Sequence, residues 1–490
     1  MAHPFPEELA LARQQANDQA AALRALTIPA TQSLEPGPRA IFSGELAPLE
    51  PAPGIDPPTG DPAWWSISEI ATAYRAGTAT PVTLVDAALA RIDQLEPRLN
   101  AFVQLCAEDA RLAAQSPDLP RGPLYGVPVA IKDVIDVAGM PTTCHSRLRL
   151  DRIAHADAPV VARLRAAGAI ILGKLATHEF AIGGPAFDLP FPPACNPWNT
   201  SCHPGGSSSG AGAAVAAGLV PLALGTDTAG SVRNPASACG IVGLKPTRGL
   251  LSCEGVVPLA WSLDHVGLLT RSVADMAVGL SLFAPPQRAV KGPRIGYIRH
   301  FHTADMPATP EMAAALDRVA VVLAAEECTL PSLNDFALVN RVILQCEGAA
   351  YHADNLRDRP EWFSRRTRSA LQAGLSASAA DYLRARRAQA MLSEAVEALF
   401  ARYDVLVCAS SMTPACAIDD DASIDTTYMM QARSVFNLSG HPALAMMAGL
   451  SSDGLPLSVQ FASRHGDEAT LLAVAARWER AMGGPQRPPI

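Results

Sequence analysis

An α/β fold, with one central sheet covered by helices on both faces, is predicted by the order of elements and the apolar content of this 490-residue chain. Short apolar runs at 127–131, 169–172 and 404–407 alternate with helix-patterned segments, the order that builds one sheet with helices on both sides. Apolar residues make up 49% of the chain, ample for an extensive core. A stretch dense in Gly, Ala and Ser, His203 to Gly249, is too apolar for a linker and too small in its side chains for ordinary core.

Residues Pro6 to Leu26 carry Leu9, Leu11, Ala20, Ala21, Leu23 and Leu26 among polar residues, which predicts a moderately amphipathic helix. Nine prolines between Thr27 and Pro62 forbid regular hydrogen-bonded structure and predict an extended arm. Residues 1–62 thus read as a helix and Pro-rich arm. The arm either stays loose, adding little to the core, or packs on the body or on a second subunit, which would make a homodimer. Residues 63–490 read as the body. It opens with a capping box, Ser66 to Glu69, and a second helix follows Thr80-Pro81 with Leu84, Val85, Ala88, Leu89 and Ile92 on one side. Val127 to Ile131 is a short strand, Pro159 to Ala167 a helix, Ala169 to Leu172 a buried strand and Asp404 to Val407 a late one. Residues 299–402, more charged and helical in pattern, read as an insertion that covers a sheet edge and the substrate site.

The formal charge of −8 comes with no basic block, so neither nucleic acid nor an anionic membrane surface is implied as a partner; the ligand expected is a small molecule. Ten scattered cysteines without a C-x-x-C pair predict free thiols in a reducing compartment. The N-terminus shows neither a basic n-region nor an apolar h-region, and the protein is expected in the cytoplasm. Eleven histidines without H-E-x-x-H or paired ligand spacing imply no metal, and nothing implies a cofactor. His265 and His441 read as structural.

Three chemistries use loops like His203 to Gly249. A phosphate cradle needs G-x-x-x-x-G-K-[ST] or G-x-G-x-x-G, and Val215 and Leu175 stand where those motifs fail. A nucleophile elbow is matched by Gly206-Ser207-Ser208-Ser209-Gly210, but no apolar strand leads into it. The third is a serine nucleophile served by a lysine. Here Gly205 to Gly210, Gly225-Thr226-Asp227-Thr228-Ala229-Gly230-Ser231-Val232-Arg233, Cys239-Gly240 and Gly243 to Thr247 resemble the signature of the amidase signature family. Gly126 to Asp133 is similar to that family's lysine strand, and Leu263 to Gly267 and Phe436 to Ala443 are similar to its later landmarks. The resemblance runs from about Ser66 to Arg477 and implies a single large α/β catalytic domain whose central sheet is mixed and covered by helices on both faces, with a short helical N-terminal extension.

Carried over residue by residue, it implies Ser231 as nucleophile, Ser207 as the bridging serine after a cis peptide bond, and Lys132 as base. The backbone N–H groups of Thr228, Ala229, Gly230 and Ser231 would form the oxyanion hole, with Ser208 bracing Lys132. Asp227 and Arg233 read as a buried charge pair that shapes the loop, with Arg233 as a carboxylate-binding group the alternative. A free lysine has a pKa of about 10.4, so a neutral amine at pH 7 needs a depression of roughly 3 units, which burial can supply. Because side chains alternate along a strand, Asp133 should face away from Lys132 and leave its charge uncompensated.

The activity implied is cleavage of the C–N bond of a small amide through an acyl-enzyme. A carbamate (urethane) or ureido compound is the close alternative, since each has an acyl carbon bearing a nitrogen leaving group. A tRNA-dependent amidotransferase A-type subunit is a further one, although the tyrosine-rich segment of such subunits is not recognisable around Gly348 to Ala353. A non-catalytic binding protein would not need Lys132, Ser207 and Ser231 together.

Overall fold

The structure, a computed structural model, describes residues 5–27, 46, 48–49, 56–285 and 287–490. Eleven strands form one mixed sheet: β1 (Phe102–Leu105), β2 (Pro128–Lys132), β3 (Ile170–Leu175), β4 (Leu222–Asp227), β5 (Val242–Lys245), β6 (His265–Thr270), β7 (Ile295–Tyr297), β8 (Glu326–Glu327), β9 (Val405–Cys408), β10 (Ala443–Leu450) and β11 (Pro456–Ser463). Their spatial order is β1-β3-β2-β4-β6-β5-β10-β11-β9-β7-β8. Strands β2, β3 and β4 run parallel, as do β7, β8 and β9, and antiparallel pairs join the two groups.

Alternation along the strands divides the core between the two faces. Val129, Ile131, Leu222, Leu224, Leu268 and Leu444 enter one apolar cluster, while Ala130, Ala223, Leu269 and Ala445 enter the other. The second face carries the helix Pro81–Leu99, with Leu84 turned to the first cluster and Val85, Ala88, Leu89 and Ile92 to the second. It also carries the short helix Ser209–Ala216, every residue of which is buried. Its small side chains let it lie close to the chain beneath: a Cβ at Gly210 would fall 2.2 Å from the carbonyl oxygen of Ala101. The dense Gly/Ala/Ser composition is thus a requirement of close backbone packing around β4 rather than of looseness.

The expected strands at 127–131, 169–172 and 404–407 are β2, β3 and β9, displaced or extended by a few residues. The expected 299–402 insertion is largely helical (Pro310–Leu323, Leu333–Asp358, Arg365–Ser376, Ala379–Phe400), yet it also holds β8, which with β7 closes one edge of the sheet.

The N-terminal helix, Pro6–Ala25, is docked rather than loose. Glu8 accepts two hydrogen bonds from the buried guanidinium of Arg368, at 2.7 and 2.8 Å, and the same guanidinium lies 3.7 Å over the Phe5 ring. Arg384 caps the far end through the carbonyls of Leu23 and Leu26, and Leu23 is fully buried in the main core. Most of the expected Pro-rich arm lies outside the described residues. No helix among the described residues is long and apolar enough to cross a membrane.

Candidate active site

Lys132 is the last residue of β2 and shares the face of Ala130, so its side chain points toward the segment that precedes the helix Ser209–Ala216. There Nζ lies 2.8 Å from Ser207 Oγ and 2.8 Å from Thr226 Oγ1, with the whole side chain shut off from water. Burial lowers its pKa to about 7, against the opposing pull of the Asp227 and Asp264 charges. Asp133 does face away. It forms a buried ion pair with Lys174 of β3, Nζ to Oδ1 3.0 Å, and accepts from Thr143.

The Gly206–Ser207 peptide bond is cis. Nothing but glycine fits before it, since a Cβ on Gly206 would stand 2.1 Å from the His178 ring. Ser207 and Ser208 then run beside the loop after β4: the Ser208 N–H donates to the carbonyl of Ser231 at 3.1 Å. Ser208 does not reach Lys132. Its Oγ donates to the Thr226 carbonyl at 3.2 Å and accepts from the Thr226 N–H at 3.3 Å, so it acts on the lysine only through Thr226. Gly225 makes room, because a Cβ there would fall 2.7 Å from Ser208 Oγ.

Asp227 organises the loop that carries Ser231. Its carboxylate accepts from the N–H groups of Gly230 (2.8 Å) and Val232 (3.2 Å), from Arg233 Nη2 (2.8 Å) and Nε (3.0 Å), and from Asn437 Nδ2 (2.8 Å). Burial works to raise its pKa, but the Arg233 guanidinium and the Asn437 amide hold the carboxyl well below the usual range. Asp227 and Arg233 are thus the expected fully buried pair, and Arg233 spends its remaining donors on Gln460, Asn437 and the Arg433 carbonyl.

The Gly230 N–H, expected among the oxyanion donors, is taken by Asp227. The N–H groups of Thr228, Ala229 and Ser231 donate to no atom of the described residues. Gly230 has φ +121°, a backbone conformation open to glycine, and Ala229 keeps an ordinary negative φ. Thr228 is held from two sides: its Oγ1 donates to Asp264 at 2.6 Å, and its carbonyl accepts from Asn340 Nδ2 at 3.4 Å. Asp264 also accepts from the N–H groups of Leu259 and Ala260, and burial raises its pKa to about 6. The structure therefore brings Lys132 and Ser207 into contact and ties Ser231 to them through the backbone. The Ser231 hydroxyl makes no hydrogen bond within the described residues.

A family model described as Amidase matches residues 83–472. The chain belongs to the amidase signature family. Its relatives include the A-type subunit of the Glutamyl-tRNA(Gln) amidotransferase of Roseiflexus sp. (strain RS-1), 36% identical over 85% of this chain and 96% of that protein. An amidase of Pseudomonas putida is likewise 36% identical, over 86% of this chain and 97% of its own length. A solved chain from a vestigial protein complex, described as revealing the evolutionary origins of an s-triazine catabolic enzyme, superposes with TM-score 0.80 at 32% identity, covering 87% of this chain and 100% of that one. Like that solved chain, this family member has an α/β body built on one large mixed sheet.

Thr226, Asp264, Asn340 and Asn437 hold the site without having been singled out in the sequence. Thr226 and Asp264 stand inside the quoted motifs, whereas Asn340 comes from a helix 112 residues from the threonine it touches and carries no local signal. His265 and His441 lie buried, on the Leu263 carbonyl and the Glu397 carboxylate respectively. The fold also gathers Glu397, His441 and His465 so that one donor atom of each lies within 4.8 Å of the others, a grouping invisible in their spacing.

Proposed function

We propose that this family member is an amidohydrolase that cleaves the C–N bond of a small amide through an acyl-enzyme on Ser231, with Lys132 and Ser207 relaying the protons. The observation that carries the reading is the contact of a fully buried lysine, its pKa lowered to about 7, with the Oγ of Ser207. In its neutral form Lys132 keeps one N–H on Thr226 Oγ1 and turns its lone pair to the Ser207 hydroxyl. Ser207 passes its proton to Lys132 and takes that of Ser231, whose oxygen attacks the acyl carbon. The negative oxygen that forms is stabilised by the free N–H groups of Thr228, Ala229 and Ser231, and the Gly230 N–H keeps the loop on Asp227. The proton then returns through Ser207 to the leaving nitrogen and the amine departs. Water repeats the sequence on the ester and releases the acid.

Carbamates and ureido compounds fit the same three residues. An amidotransferase component of the A type is a second reading, favoured by the name of the Roseiflexus relative. A panel of amides, carbamates and glutamine, incubated with the protein alone and with hydroxylamine, separates them. Hydroxamate formed from an amide, with an acyl mass on the peptide carrying Ser231, supports the amidohydrolase. Turnover of glutamine alone, and only when a partner protein is added, would overturn it.

A further inference from the structure

Outside the candidate active site, three elements bring one metal-binding side chain each to a single place. Glu397 comes from the helix Ala379–Phe400, His441 from the turn after the helix Ser434–Ser439, and His465 from the turn before the helix Glu468–Ala481. His441 Nε2 lies 2.9 Å from a Glu397 carboxylate oxygen, and the His441 and His465 rings are stacked with centroids 3.9 Å apart. One donor atom of each residue lies within 4.8 Å of the other two. Zinc holds imidazole nitrogen and carboxylate oxygen at about 2.0–2.2 Å, which puts neighbouring ligands of a tetrahedral site about 3.3 Å apart. The Glu397–His441 pair is already near that spacing, and a shift of the His465 ring by about 1.5 Å completes the set.

The framework behind these groups is tied down, as a metal site requires. Gln389, Ser393 and Glu397 recur every four residues on one side of their helix. Gln389 Nε2 and Ser393 Oγ donate to the Leu438 carbonyl at 2.9 and 3.3 Å, which fixes the end of the helix Ser434–Ser439 beside Glu397. Arg464 Nε donates to the Phe400 carbonyl at 2.9 Å and the Gly466 N–H to Thr247 Oγ1 at 2.8 Å, so the turn carrying His465 is anchored on both sides of the ring.

Both rings are in the form that binds a cation. Burial lowers the pKa of His441, and burial followed by the neighbouring His441 ring takes that of His465 to about 3, so each is neutral near pH 7 and keeps a nitrogen lone pair. The hydrogen bond to Glu397 occupies one nitrogen of His441; Nδ1 of His441 and Nδ1 of His465 are buried without a partner. The cations nearby are spoken for. Burial drives the Lys245 pKa well below that of a free lysine, Arg248 donates to the carbonyls of Asn437 and Leu438, and Arg464 pairs with Asp404 at 2.8 Å. The group is also open to entry, because the Glu397 side chain is 61% exposed against 1% for His441.

We propose that Glu397, His441 and His465 form a zinc site, with two imidazoles and one carboxylate as ligands and water completing the shell. The ion staples the end of the helix Ser434–Ser439 to its two neighbours. That helix carries Asn437, whose amide holds Asp227, so the bound metal stiffens the frame of the Ser231 loop. Magnesium and calcium, which take oxygen ligands, are not matched by this set.

The full-length protein, stripped with EDTA and dialysed, is titrated with zinc chloride by calorimetry, and its melting is followed with and without the metal. One zinc per chain should bind, and the melting temperature should rise by several degrees at about 100 times the dissociation constant, while magnesium chloride leaves it in place. Glu397→Gln and His465→Ala alter side chains at the open end of the group. Each should weaken zinc at least about 10-fold, the cost of losing even an outer partner of a metal ligand, and remove most of the rise. If either variant melts lower without metal, its zinc affinity still decides. No zinc bound by the wild-type protein, an equal rise with magnesium, or wild-type zinc affinity in both variants would overturn the site.

Discussion

Thr226 Oγ1 stands 2.8 Å from Lys132 Nζ, the same distance as Ser207 Oγ, so the lysine is gripped from two sides in a site closed to water. The threonine is a positioning residue, fixing where the amine's lone pair points. Thr226→Val removes an acceptor that favours the ammonium form, and should lower kcat roughly tenfold, about the worth of one hydrogen bond to a charged group. The rising limb of kcat/KM against pH should move to lower pH, and Thr226→Ser should restore both. A valine variant with an unmoved profile would make the contact merely structural.

The wild-type profile itself follows from Lys132. Its amine must be neutral to accept a proton, so kcat/KM should rise with pH through about 7. A rising limb centred near pH 10 would mean that the lysine is not depressed.

Stability should carry the same signature. The unfolded lysine stays protonated up to about pH 10.4, while the folded one loses its proton above about pH 7. Between these values the unfolded state binds more protons, so folding stability rises with pH, by about 1.4 kcal/mol per unit for this one group. Urea unfolding of wild type and Lys132→Met, from pH 7 to pH 10, should show their difference moving in favour of wild type as pH rises. Parallel curves would contradict the burial of this amine.

Asp227→Asn strips Arg233 of its carboxylate partner inside the core and weakens the anchor of the Gly230 N–H. Removing one partner of a buried pair costs about 3–5 kcal/mol, and that loss should appear in the urea midpoint. Labelling of Ser231 by a fluorophosphonate should slow as well, since the loop loses its frame. A variant as stable as wild type would show that Asn437, Gln460 and the backbone suffice.

Deleting residues 1–26 leaves the Arg368 guanidinium without Glu8 and bares the surface that Leu23 covers. The truncated chain should melt several degrees lower. Glu8→Gln should account for only part of the loss, because the apolar contact survives. Equal melting temperatures would restore the picture of a loose N-terminal segment.

The legible part of the site was local. Lys132 ends an apolar strand, and the period of two along β2 separates it from Asp133, which pairs with Lys174 instead. Arg233 and Asp227 stand six residues apart and were readable as a pair. What escaped is what long loops bring together. Arg433 lies 200 residues from the arginine whose side chain its carbonyl holds, and no periodicity announces such a contact. The Gly230 N–H was assigned by its place in the loop, but an aspartate three residues earlier claims it. Among the strands, β8 has only two residues and shows no alternation, and β4 lies within a Gly/Ala/Ser stretch that resembles a loop more than a strand. The docking of the N-terminal helix depends on Arg368 and Arg384, on helices that sequence patterning does not connect with it.

The proton relay is tested most directly by a matched amide and p-nitrophenyl ester with the same acyl group, measured as kcat/KM in wild type, Lys132→Ala and Ser207→Ala. An amine cannot leave without a proton, which Ser207 passes on from Lys132, whereas p-nitrophenolate can. In both variants the amide should lose about 10² to 10⁴ more than the ester, the usual worth of general acid–base help. Equal losses on the two substrates, or full amide turnover in Lys132→Ala, would contradict the relay.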